Sequence, residues 1–171
     1  VLVAGSHGAI YAAYIAAKGG VRGVILNDAG VGKDDAGISG LAYLDGFGVA
    51  GATISHQSAR IGDGADMMDR GVISHINDTA RAIGCVPDQG CADCATRMLS
   101  APGATGAPPE MTESRFILEP GEPEVWGLDS ASLVLPEDEA RILVVGSHGQ
   151  ALGGRPETAL RHNALGAVFH D

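Results

Sequence analysis

The sequence predicts an α/β fold: a mostly parallel sheet flanked by helices, with an internally duplicated strand-(Gly-Ser-His-Gly)-helix unit and an antiparallel hairpin before the second copy. Three observations carry this. Short apolar runs bounded by glycine alternate with longer Ala-rich or amphipathic stretches, as in strands joined by helical crossovers. The octapeptide Val1-Leu2-Val3-Ala4-Gly5-Ser6-His7-Gly8 returns as Ile142-Leu143-Val144-Val145-Gly146-Ser147-His148-Gly149, identical at six of eight positions. Glycine occurs 26 times beside one Trp, three Tyr and three Phe, a composition that packs by close backbone approach.

Val1 to Gly5 is an unbroken apolar run, expected to be a strand covered on both faces, and Ser6 is expected to cap an Ala-rich helix from Gly8 to Lys18. Val21 to Leu26 is the second strand, Asp28 to Asp35 a Gly-rich loop, Ala36 to Phe47 a helix and Val49 to Ile54 the third strand. Between Gly71 and Gly84, Val72, Ile73, Ile76, Ala80 and Ile83 fall on one helical face and Asn77, Asp78 and Arg81 on the other, which predicts an amphipathic helix. Ser114 to Leu118 and Glu124 to Val134, split by Glu119-Pro120-Gly121-Glu122-Pro123, predict an antiparallel hairpin. The echo between the two copies extends to Gly23–Asp28 and Gly166–Asp171, each an apolar strand ending in Asp. Ser100 to Pro109, rich in Ala, Gly and Pro, divides the chain. Residues 1–100 form a first α/β unit, 101–112 a linker, and 113–171 the hairpin plus a partial second α/β unit packed on the first. Because the second copy stops at its Asp, the natural polypeptide is expected to continue past Asp171 with a Gly-rich loop and helix.

Charge narrows the partners. Eleven Lys and Arg against 21 Asp and Glu give a formal charge of −10, which repels nucleic acid and anionic membranes. No apolar run reaches the roughly 20 residues of a membrane span, and no signal segment is seen, so a cytoplasmic protein acting on a small molecule is expected. A homo-oligomer is expected as well, because an unfinished second unit leaves an open sheet edge. Cys85, Cys91 and Cys94 are odd in number and clustered, which argues for reduced, partly buried thiols over a disulfide framework. A metal site with His75 is the minor alternative, since a zinc ribbon needs two Cys pairs.

Ligands of open parallel sheets bind beyond the carboxyl ends of the strands, so the residues that follow each strand carry the functional argument. Here these are Ser6 and His7, then Asp28 and Lys33, then Ser55, His56, Ser58 and Arg60, with Ser147, His148 and Asp171 from the second copy, all expected on one rim. A histidine in the first turn of a helix faces the positive end of its dipole and is held neutral, fit to act as a base. The expected chemistry is hydrolysis of an amide or related carbonyl compound that bears an anionic group. In it His7 is the general base, Ser6 or Ser58 the nucleophile, and Asp28 orients the imidazole, while Lys33 and Arg60 bind the anion. His56, Asp63, Ser147 and His148 complete substrate binding. Ser6 and Ser147 serve equally well as ordinary helix caps, and Lys33 as a surface partner of Asp34 or Asp35. Asp63, Asp66 and Asp69 recur every third residue, which suits the first turns of a helix.

Two alternatives belong to other classes. One is a lyase or hydrolase that uses a divalent metal as cofactor, held by His7, His56, His148 and Asp28 or Asp171. The other is a non-catalytic small-ligand-binding or regulatory module. Gly30-Val31-Gly32-Lys33 resembles a phosphate-binding loop, but Asn27 stands where such a loop needs glycine, and Asp34 stands where it needs Ser or Thr. The stretch Val144 to Gly149 is similar to the end of universal stress proteins, whose later glycine and Ser or Thr are replaced here by Ala159 and Leu160.

Overall fold

The computed structural model describes residues 1–149 and 158–170, His170 by its backbone alone. The chain is mixed α/β and forms two compact units, Val1–Met111 and Thr112–Asp171, each built on its own four-stranded sheet. The strand ends expected on one sheet therefore belong to two sheets. Asp171 and the start of the helix expected after Gly149 lie outside the described residues.

In the first unit the order of elements is β1 (Leu2–His7), α1 (Ile10–Lys18), β2 (Gly23–Asn27), α2 (Gly40–Asp45), β3 (Ala50–Ile54), α3 (Gly64–Arg70), β4 (Ile73–Ile76), α4 (Asp78–Ala82) and α5 (Cys91–Met98). Sheet order follows chain order; β1, β2 and β3 are parallel and β4 runs antiparallel to β3. Strands β2 and β3 are buried throughout because their two faces feed two apolar clusters. Val24 and Leu26 pack with Ala13, Ala16 and Ala17 of α1 and Leu44 of α2. Ile25, one residue out of phase, packs with Met67 of α3 and Cys94 and Met98 of α5. Strand β1 lies at the sheet edge and is only partly covered, a correction to the fully buried strand expected there.

Three local expectations change. Ser6 and His7 are the last two residues of β1, and α1 starts at Ile10 with Ala9 as its N-cap and no side-chain cap. His7 is thus outside the helical turn whose dipole was to hold it neutral. The helix expected over 36–47 shortens to α2, preceded by a single 3-10 turn at Lys33–Asp35. The helix expected over 71–84 is a strand followed by a five-residue helix. Buried Asn77 causes that break: its Oδ1 accepts from Ala80 N at 2.9 Å and Gly51 N at 2.8 Å, while its Nδ2 donates to Val49 O and Leu41 O. An amide satisfied on four sides caps a new helix, and the residues before it complete a sheet instead.

Residues 101–110 run along the first unit. Arg22 donates to Ala101 O at 2.8 Å, Thr105 N to Phe47 O at 2.9 Å, and Lys18 pairs with Glu110 at 2.9 Å.

The second unit contains β5 (Arg115–Glu119), β6 (Val125–Leu128), β7 (Ile142–His148) and β8 (Gly166–His170), again in chain order. Strands β5 and β6 form the expected antiparallel hairpin, and β6, β7 and β8 are parallel. One face buries Leu128, Leu143 and Val145 under Val134. On the other face the cross-strand row Phe116, Gly127, Val144 and Val168 leaves its three side chains exposed. The Arg115 and Arg141 guanidinium groups lie 4.6 and 4.8 Å from the Trp126 ring centre. Both arginines also pair with Asp138, which is wholly buried, at 2.7 and 2.9 Å.

The register of β1 on β2 reads Leu2↔Val24, Val3↔Ile25, then His7↔Asn27. That of β7 on β8 reads Leu143↔Ala167, Val144↔Val168, then His148↔His170. In each pair the first strand carries two extra residues just before its histidine, a bulge of the kind that re-aims side chains at a strand end.

Candidate functional site

The first unit gathers its polar residues where β1, β2 and β3 end. Asp28 follows β2, and its N–H donates to Ile54 O at 2.9 Å. Its side chain, 4 % exposed as a residue, is the hub of the site. Oδ1 accepts from Gly30 N at 2.9 Å and from His56 N at 3.0 Å, and lies 3.0 Å from His56 Nδ1. Burial alone would raise the carboxyl's pKa, yet the hydrogen bonds from Gly30 N, His56 N, Ser74 and the His56 ring outweigh it and hold Asp28 below the ordinary carboxylate range. An ionised Asp28 can only accept, so in a neutral His56 ring it favours the tautomer with the proton on Nδ1 and the lone pair on Nε2. The His56 side chain is 46 % exposed.

Glycines make room for this arrangement. The His56 ring stacks over Gly30, whose φ is +75°, with Cε1 3.6 Å from where a Cβ would sit. A Cβ on Gly37 would lie 2.0 Å from Asp28 O, and one on Gly8 2.4 Å from Gly37 O, so the strand ends and the 28–37 loop touch backbone to backbone. Within that loop Ala29, Val31, Asp34 and Asp35 all adopt positive φ between 48° and 67°. Such values cost about 1 kcal/mol or more per residue for a side chain with a Cβ, most for branched Val31, and strained loops concentrate at binding sites. The strain is supported by hydrogen bonds from Val31 N to Asp28 O and from Gly37 N to Val31 O, both 2.7 Å.

The other candidates fall as follows. Ser6 is exposed and His7 half-buried at the end of β1, and Lys33 is exposed in the strained loop. The Ser58 hydroxyl donates to Ser55 O at 2.7 Å and accepts from Val72 N at 3.0 Å, which ties down its loop. Asp63 is the N-cap of α3 and accepts from Asp66 N at 3.0 Å. Asp66 accepts from Arg60 N at 2.8 Å and from Arg70. Arg60 carries a 72 % exposed side chain and reaches Asp66 and Asp63 only at 3.8 and 4.0 Å. Ser147 and His148 end β7 of the second sheet, where the Ser147 hydroxyl accepts from Ala131 N at 3.0 Å. The imidazole that Asp28 holds is that of His56.

Among the described residues, no group of three or more His, Cys, Asp and Glu side chains is arranged to hold a metal ion. Cys85, Cys91 and Cys94 are free and fully buried, and burial pushes the Cys91 thiol up to about 11 and the Cys94 thiol to about 12. The Cys91 and Cys94 thiols are protonated at neutral pH. No helix among the described residues is long and apolar enough to cross a membrane. A groove in the second unit, lined by Glu122, Glu124, Glu137 and Arg141, opens at the opposite, amino-terminal end of the parallel strands and holds none of the candidates.

Sequence reasoning missed Ser74, a bulge residue of β4 whose hydroxyl lies 3.1 Å from both Thr53 Oγ1 and His75 Nδ1, because the segment read as a helix. The alternation Ile73-Ser74-His75-Ile76 was the available signal for a strand. A scan of protein-family models, a search of curated proteins and a search of solved structures each find no match to this chain.

Proposed function

We propose that the chain is a small-molecule hydrolase acting on an amide or related carbonyl compound, with His56 as general base and Asp28 as its orienting partner. The observation that carries this reading is the buried carboxylate 3.0 Å from Nδ1 of a His56 ring whose side chain is 46 % exposed. In such a site Nε2 takes a proton from water as the water oxygen adds to the carbonyl carbon. When the tetrahedral intermediate collapses the C–N bond breaks, and the same nitrogen returns the proton to the departing amine. Ser6, exposed at the neighbouring strand end, is the candidate hydroxyl for a covalent variant of the same chemistry. Lys33 and Arg60 are exposed cations near the site and suit an anionic group on the substrate.

We extend this reading to the two strand pairs, which we take as copies of one unit. Six of eight identical residues, the matched pairings and the matched bulge support that origin.

A panel of amides and related carbonyl compounds bearing a carboxylate tests the reaction. His56→Ala is expected to lower turnover about 10²- to 10⁴-fold, with the circular dichroism spectrum unchanged. Full activity in His56→Ala overturns the assignment. Ligand-induced thermal shifts without turnover by the native chain would identify a binding module instead.

A further inference from the structure

We propose that the exposed apolar face of the second sheet docks a basic amphipathic helix of a partner protein, seated as α5 is seated on the first sheet. In register Val144 and Val168 are the counterparts of Val3 and Ile25, each pair side by side across two parallel strands. Val3 and Ile25 pack with Met67 of α3 and with Cys94 and Met98 of α5. Val144 and Val168 are exposed, and Phe116 and Leu118 extend the same apolar face over Gly127. The comparison needs only the matched register, not a common origin of the two strand pairs.

A pair of glycines shows what kind of occupant fits. A Cβ on Gly23, at the start of β2, would meet Met98 Sδ at 2.8 Å, so Met98 fills the space that this glycine leaves. Gly166, its counterpart at the start of β8, has nothing within 4 Å of the same point. The equivalent seat is open. Helix α5 reaches its own seat with Cys91, Cys94, Ala95 and Met98 buried, at i, i+3, i+4 and i+7. A helix with small apolar residues along one stripe and a long unbranched side chain over Gly166 repeats that fit.

Area and charge narrow the partner. Phe116, Leu118, Val144 and Val168 are between 41 and 62 % exposed, which leaves on the order of 300 Å² of apolar surface. A stable dimer of two copies stacked on this face would bury about 800 Å² per partner, whereas one helix binds through a few anchors at i, i+3, i+4 and i+7. In the second unit Arg115 and Arg141 are held by Asp138 and Glu124. Glu119, Glu122, Glu137 and Glu139 are exposed, with no ion pair among the described residues. That surplus of negative charge suits a helix with Lys or Arg on its outer faces.

The test titrates the full chain, labelled for NMR, with a synthetic helical peptide of about 18 residues. The peptide carries Ala and Leu at i, i+3 and i+4, Met at i+7 and lysine elsewhere. Amide shifts are expected to move at Phe116, Leu118, Val144, Gly166 and Val168 and to stay in place in the first unit. Val168→Asp puts a charge on the face and Gly166→Met fills the seat; each is expected to weaken binding about tenfold or more. Glutamate in place of the peptide's lysines is expected to weaken it as much. The proposal is overturned if no binding is seen at millimolar peptide, if a scrambled peptide binds as tightly, or if either variant binds as the native chain does. Sedimentation of the chain alone adds a second arm: a dimer that Val168→Asp dissociates assigns the face to a second copy and overturns the helix. Should Val168→Asp fail to fold, Gly166→Met decides, because its Cβ enters open space.

Discussion

The β1–β2 and β7–β8 pairs carry similar sequences and the same register, yet burial falls on opposite strands. In the first sheet β1 is the edge and β2 is interior; in the second β7 is interior and β8 is the edge. Leu2 is accordingly 39 % exposed while its counterpart Leu143 is buried, and Ile25 is buried while its counterpart Val168 is 62 % exposed. The lesson is that a strand pair sets its own hydrogen-bond register, and neighbouring elements decide which of its side chains become core. Helices α3 and α5 cover the Ile25 face, and the corresponding face of the second sheet keeps Phe116, Val144 and Val168 exposed.

The largest expected effect comes from exchanging that context. Ile25→Ala should destabilise the chain by about 2 to 5 kcal/mol, whereas Val168→Ala should cost less than about 0.5 kcal/mol. Chemical denaturation followed by circular dichroism measures both, and equal costs would break the comparison.

A smaller effect is expected at the paired glycines. A Cβ on Gly8 meets backbone, Gly37 O at 2.4 Å, while one on Gly149 meets Phe169 Cγ at 2.9 Å and Cβ at 3.1 Å, a milder clash that a turn of the ring relieves in part. Gly8→Ala should cost about 1 to 3 kcal/mol and Gly149→Ala less than half of that. Thermal melts of the two variants check the order.

The smallest is a difference in acid sensitivity. Asp28 in the first unit and Asp138 in the second both have pKa values lowered in the folded state. For Asp138, burial opposes the shift, and the Arg115 side chain, Leu135 N and the Arg141 side chain overcome it. Each carboxylate therefore contributes stability above its unfolded pKa of about 4, and that stability is lost as pH falls through the folded value. Asp28→Asn and Asp138→Asn should each flatten the acid limb of stability against pH. An unchanged slope in either would show that its carboxylate is not held ionised.

Much of the fold was legible because apolar runs with glycine boundaries and a repeated octapeptide are local signals. The hairpin was equally plain from Glu119-Pro120-Gly121-Glu122-Pro123, between two strand-like stretches. The helix expected over 71–84 was misread because residues of a short strand and a short helix together mimic a single helical face. Only the buried partners of Asn77, which are Leu41 of α2, Val49 and Gly51 of β3, show where the strand ends. The site was half legible. Asp28 and His56 stood out as polar residues after strands, but nothing in the chain order says which imidazole Asp28 takes.

From its sequence alone this protein is an acidic α/β chain with strand ends rich in Ser, His and Asp, because composition and periodicity are properties of neighbouring residues. The tertiary structure decided that there are two sheets, which strand of each pair is interior, and that Asp28 holds His56. Those outcomes depend on contacts between residues far apart in the chain, where backbone approach at Gly8 and Gly37 selects one arrangement among many that the local pattern permits.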